Sequence, residues 1–155
     1  MRTIKFKGKC ISPEFKGKTV CGSLLTFPDG TARLFEHSHD KVFNYYSVDP
    51  ETVSQFTGFT DKNGREIYEG DVLRSDEYPF SCVGDGEYDN YYGTISWSEE
   101  EASFYIVAVK NPKSSVRGIS EGICDAISQK AMQDFEVVGS VHDKEWQEKL
   151  NLKDE

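Results

Sequence analysis

The stretch DKNGREIYEGDVL, residues 61–73, compresses a turn signal, two apolar pairs and four acidic side chains into thirteen positions. Three readings compete: a metal loop, a cluster of catalytic carboxylates, or a hairpin leading into a strand. A calcium loop requires oxygen ligands at its first, third and fifth positions, Gly at the sixth and a bidentate Glu at the twelfth. Asp61 and Asn63 meet the first two requirements, but Arg65, Glu66 and Val72 occupy the other three positions. Paired acids for catalysis need burial and shifted pKa values, and the pattern gives no sign of either. Asn63-Gly64, by contrast, is the strongest short hairpin signal, because both residues tolerate φ above zero. Residues 56–59 then enter the hairpin and residues 66–68 leave it. Gly70-Asp71 makes a second bend that turns Val72 and Leu73 into a core. On this reading the carboxylates at 66, 69 and 71 decorate turns and outer faces, in water.

Working outward, strand signals dominate. Residues 19–27, the turn Pro28-Asp29-Gly30 and residues 31–36 read as a second hairpin, since Pro presets the first turn φ and Gly accepts a positive one. Residues 42–48 form a further strand, which Asp49-Pro50-Glu51-Thr52 breaks. In residues 93–98, Gly93, Ile95 and Trp97 face one way and Thr94, Ser96 and Ser98 the other, the alternation of a half-buried antiparallel strand. Glu99-Glu100-Glu101 follows as an exposed turn, residues 104–109 return as a central strand with Phe104 beside Trp97, and residues 135–141 supply the last strand. Ile119, Ile123, Ile127 and Ala131 recur every four residues and predict a covering helix over about 120–132, with Ser120 as its cap. A second short helix spans 143–150, with Trp146 and Leu150 as its apolar edge. The chain is therefore mostly β, with one or two short helices. It is expected to divide into a β-rich N-terminal lobe (1–50), a sheet domain (51–142) and a short C-terminal helix and tail (143–155).

Composition narrows the function classes. The longest apolar run, residues 104–109, is far short of the roughly 20 residues that cross a bilayer, and the basic start has no apolar segment behind it; a cytoplasmic protein without membrane contact is expected. Cys10, Cys21, Cys82 and Cys124 lie at least eleven positions apart. That spacing fits no close-paired metal site, so they read as reduced, mostly buried thiols, with a Cys10–Cys21 bridge as the alternative. The net charge of -9 is uneven: residues 61–101 hold twelve acids against three bases, and residues 1–18 hold six bases against Glu14. Nucleic-acid binding relies on cations that displace phosphate counterions, so the acidic middle argues against it.

No set of residues assembles a reaction. Asp85-Gly86-Glu87-Tyr88-Asp89 imitates half of a calcium loop, yet Asn90 and Ser96 stand where Gly and Glu belong. His37-Ser38-His39-Asp40 offers two imidazoles and a carboxylate two apart in a turn, with His142 in another lobe, a pattern more typical of polar surface than of zinc. No catalytic residue, metal site or cofactor is expected.

The run from Val48 to Leu73, VDPETVSQFTGFTDKNGREIYEGDVL, resembles the signature of the YopX-like family of phage and prophage proteins, and residues 2–6 and 135–141 resemble that family's two ends. The resemblance implies an SH3-like small β-barrel in the C-terminal part and no established enzyme activity. The chain departs from the family pattern in Phe59, where Leu is usual, and in the long segment 75–91. That segment mixes Asp76, Glu77, Asp85, Glu87 and Asp89 with Tyr78, Phe80, Tyr88 and Tyr91 and contains no base. Long loops between strands are common recognition sites, and aromatics give large contact area at small entropic cost. These nine residues are the candidate partner-binding set, with capping of the barrel as the competing role. The expected function is a non-enzymatic protein-interaction module that binds a basic host protein or associates with itself. An acidic DNA-mimic inhibitor is the alternative. Weaker still is nucleic-acid binding through Arg2, Lys5, Lys7, Lys9, Lys16 and Lys18.

Overall fold

The computed structural model describes residues 1–36, 44–76, 90–109 and 124–150, and the chain forms two compact units, Met1–Gly58 and Phe59–Glu155. In the first unit, β1 (Phe6–Lys9), β2 (Thr19–Thr26), β3 (Ala32–Glu36), β4 (Asn44–Val48) and β5 (Ser54–Thr60, which runs on past the boundary) form an antiparallel sheet in the order β4-β3-β2-β1-β5. The hairpin expected around Pro28-Asp29-Gly30 is present. Gly30 has φ 86°, and the Asp29 carboxylate accepts from the Thr31 amide and hydroxyl at 2.9 and 2.7 Å. A single turn of 3-10 helix, Pro50–Thr52, supplies the break after β4.

This sheet curls until β4 meets the end of β1. Cys10 bridges Val48, Ile11 N–H donates to Ser47 O, and Asp49 N–H donates to Lys9 O, both at 2.9 Å. Inside the curl lie Ala32, Leu34 and Val48, with Phe6, Val20, Leu24, Tyr46 and Val53 packed on them. Gly8 fits closely against the interior: a Cβ there would lie 3.3 Å from Val48 Cβ, a tight contact. Cys10 is buried, whereas Cys21 and Cys124 are exposed, and all three are free thiols. The expectation of mostly buried thiols is corrected for Cys21 and Cys124, because both occupy outward or edge positions of strands; the Cys10–Cys21 bridge is not formed.

In the second unit, β6 (Glu66–Tyr68) is followed by β7 (Asp71–Ser75), β8 (Tyr91–Ser98), β9 (Ser103–Val109), β10 (Cys124–Ala126), α1 (Gln129–Met132), β11 (Glu136–Ser140) and α2 (Lys144–Lys149). The sheet order is β10-β9-β8-β7-β11, a meander whose last strand returns beside its first. Among the described residues no pairing joins the two outer strands. One face buries Ile67, Leu73, Ile95, Phe104, Ile106, Met132, Phe135 and Val137; each such large side chain contributes about 1.5–3 kcal/mol on burial. The other face carries Val72 and Tyr92 under Trp146 of α2. The indole N–H donates to Val138 O at 3.2 Å, and it lies so close over Gly139 that any Cβ there would collide with it.

The structure corrects the reading of a helix over 120–132. Residues 120–123 lie outside the described residues, but Cys124–Ala126 pairs with Tyr105–Val107 of β9 as a strand. The helix is one turn long, and its cap is Ser128, whose hydroxyl accepts from Ala131 N–H. Pairing with a strand far away in sequence outweighs a local four-residue spacing. The helix expected over 143–150 is present as α2. Strand β8 is also less one-sided than its alternation suggests, because α2 covers Tyr92, and Trp97 at the far end is 38% exposed. Among the described residues no helix is long and apolar enough to cross a membrane.

Candidate interaction face and the role of the signature acids

The acids of residues 61–73 are not all in water. Asp61 and Asp71 are 2% and 1% exposed, which corrects the expectation that this stretch carries its carboxylates outside. A buried carboxylate is tolerated only when hydrogen bonds replace its lost hydration. Asp61 Oδ1 accepts from the amides of Asn63 at 2.8 Å and Arg65 at 2.9 Å, closing the Asn63-Gly64 turn. Gly64 itself has φ 77°. Asp61 Oδ2 accepts from Val137 N–H at 2.9 Å. Lys62 N–H donates to Phe135 O at 3.0 Å, and the Arg65 guanidinium reaches Val137 O at 3.4 Å. The turn is thus laid along the outer edge of β11 and occupies both backbone groups of Val137 and the carbonyl of Phe135 just before the strand. Unpaired edges invite strand addition from other chains, so the signature turn acts as an edge guard.

Asp71 does the same at the second bend, accepting from Tyr68 N–H at 2.8 Å. Gly70, at φ 78°, lets that bend pass between Ile95 O and Val141 N–H, each at 2.8 Å. Glu66 is half-buried and accepts from Tyr68 OH at 2.8 Å. Asp61 and Asp71 thus hold backbone amides and Glu66 a phenol, and among the described residues no group of three or more His, Cys, Asp or Glu could hold a metal ion.

Of the candidate binding set, Asp76 is exposed just after β7. Tyr91 is the first residue of β8, pairs with Ser75 and packs against the core; pairing draws it out of the loop. Glu77, Tyr78, Phe80, Asp85, Glu87, Tyr88 and Asp89 lie outside the described residues, as do His37, His39 and Asp40.

A surface that the sequence reading did not single out lies on the first unit. Along β2, β3 and β4 alternate side chains enter the curl, which sends Leu25, Arg33, Phe35 and Tyr45 to the outer face. Register brings them together: Leu25 pairs with Arg33 and Phe35 with Tyr45. The Arg33 guanidinium carbon lies 4.9 Å from the Phe27 ring centre and 5.3 Å from that of Tyr45, within cation–π reach. Phe35 and Tyr45 stack at 5.7 Å, tilted by 35°. Leu25 and Tyr45 are nevertheless 46% and 57% exposed. The signal was present in the alternation around Pro28-Asp29-Gly30, but only register shows that the outward residues form one patch.

A family model described as YopX protein matches residues 26–145. Among curated proteins no match was found. The matched segment starts at the end of β2 and runs into α2, taking in the edge-guarding turn with Asp61 and the return strand it protects; the chain belongs to the YopX family.

Proposed function

We propose that the protein is a non-enzymatic, cytoplasmic interaction module of phage or prophage type whose partner is another protein, held on the outer face of β2, β3 and β4. The contiguous patch of Leu25, Phe27, Arg33, Phe35 and Tyr45 carries this reading. Tyr and Arg are the side chains that most often dominate protein interfaces, and a contiguous apolar patch, unlike scattered exposed residues, marks an interaction site. The non-enzymatic part is supported by what the buried acids do: Asp61 and Asp71 hold backbone amides at two bends. The acidic, aromatic segment from Asp76 to Asp89, without Tyr91, is proposed as a second contact, suited to a basic host surface. For the second unit we read the meander β7–β10, the one-turn helix and the return of β11 to β7 as an SH3-like small barrel. An acidic DNA mimic is less well supported, since Asp61 and Asp71 are buried and Glu136 pairs with Arg74.

The test is a photo-crosslinking amino acid in place of Tyr45, in cells producing the protein, with another in place of exposed Lys62 as control. A discrete adduct from position 45 that is absent from position 62 is the expected result. No adduct at 45, or the same adducts from both positions, overturns the reading.

A further inference from the structure

The two units differ in charge as well as in fold. Residues 1–58 carry eight basic and six acidic side chains, a net of +2, and residues 59–155 carry ten and twenty-one, a net of -11. The outer face of β2–β4 has Arg33 as its charged centre, with Lys7 continuing the same face onto β1 through its pairing with Cys21. The complement of that face is on the second unit. Strands β8 and β9 pair over seven positions, from Tyr92↔Val109 to Ser98↔Ser103, and end in Glu99-Glu100-Glu101-Ala102, all four exposed. The tip has a defined shape: Ser98 Oγ accepts from Glu101 N–H at 3.2 Å, and Ala102 sits at φ 48°. Beside it Trp97 stacks edge-on against Phe104 at 4.8 Å and keeps a free flank. One surface is therefore aromatic and aliphatic around a cation, and the other is an indole beside three carboxylates.

We infer that the protein associates with itself head to tail, the Trp97 and Glu99–Glu101 end of one copy docking on the Leu25, Arg33 and Tyr45 face of a second. This deepens the interaction reading above and rests on it, because it names the occupant of the same face. Charge complementarity argues for it: a partner must bring apolar area for Leu25 and Tyr45 together with anions for Arg33, and this chain presents that combination at a preformed hairpin end. The two surfaces are different, so the contact is heterologous, and each copy can make it twice, giving rings or open chains instead of a closed pair.

Sedimentation velocity of the full chain over a range of concentrations, at about 50 and about 500 mM NaCl, tests the inference. Species larger than the monomer are expected at low salt, with apparent affinity falling about tenfold or more at high salt, because exposed charges are screened. Arg33→Glu alone, and the triple variant Glu99→Lys, Glu100→Lys, Glu101→Lys alone, should each be monomeric. An equimolar mixture should associate, since each variant then meets a complementary surface on the other. Trp97→Ala, which leaves charge untouched, should weaken association by about tenfold as loss of an aromatic anchor. A wild-type protein that stays monomeric throughout, single variants that associate like wild type, or a mixture that does not recover association overturns the inference. A monomeric protein that still gives a Tyr45-position adduct to a foreign protein overturns it while leaving the interaction reading standing; absence of any adduct removes both.

Discussion

Replacing Asp61 separates a structural carboxylate from an ornamental one. Its three donors are the amides of Asn63, Arg65 and Val137. In Asp61→Asn the amide oxygen can retain the two turn donors, but the NH2 group then faces Val137 N–H, so one bond is lost and two donors confront each other. With hydrogen bonds to a charged group contributing about 1.5–3 kcal/mol each, and an unsatisfied buried donor costing about 1–3, the expected loss is about 3 kcal/mol. Asp61→Ala orphans all three amides. Asn63 and Arg65 are exposed residues and their amides can regain water, which limits the loss to about 4 kcal/mol. The chain has two tryptophans, Trp97 and Trp146, both in the second unit, so urea unfolding followed by intrinsic fluorescence reports the unit that holds Asp61. At about 1–3 kcal/mol per molar urea, the midpoint should fall by about 1 M or more for Asn and further for Ala. An Asn variant within about 0.5 kcal/mol of wild type, or one as damaged as Ala, would refute the assignment of three separate bonds.

Gly139→Ala should cost about 2–3 kcal/mol, in the range of overpacked cores, because the new methyl displaces the Trp146 indole; loss of the near-ultraviolet tryptophan signal should accompany the fall in stability. Thiol titration in a Cys82→Ser background should find Cys21 and Cys124 reacting quickly and Cys10 only on unfolding, in keeping with their exposures. The Asp29 carboxyl is held below its ordinary value of 3.8, first by the Thr31 amide and then by the Thr31 hydroxyl. A depressed folded pKa stabilises the turn above the ordinary value, and the stabilisation is lost as pH falls through the folded one. An NMR titration should place the Asp29 midpoint below 3.8, and Thr31→Val, which removes the hydroxyl donor, should move it upward.

What could be read from sequence was what short-range chemistry decides. In the turns at Pro28-Asp29-Gly30 and Asn63-Gly64 the glycines take the positive φ, Asn63 does not, and the nearby Asp29 and Asp61 carboxylates hold local amides; the strands on either side follow. Val72 and Leu73 turned into the core as their spacing from Gly70 requires. What escaped was decided by partners far along the chain. Asp61 looks like a surface acid until Val137, 76 positions away, is brought to its second oxygen. Cys124–Ala126 looks helical until β9 offers it an edge. The candidate face escaped for a related reason: Leu25, Arg33 and Tyr45 each read as an ordinary outward residue, and only the registers of two hairpins make them neighbours.

The claim on which the account turns is that the buried acids of residues 61–73 serve the backbone and no ligand. Side-chain carboxyl 13C resonances of Asp61 and Asp71, followed while Ca2+, Mg2+ and Zn2+ are titrated in turn, measure this directly. Both resonances should stay fixed at every metal concentration, with the Asn63, Arg65 and Val137 amides protected from exchange throughout. A saturable shift of either carboxyl at stoichiometric metal would contradict the account.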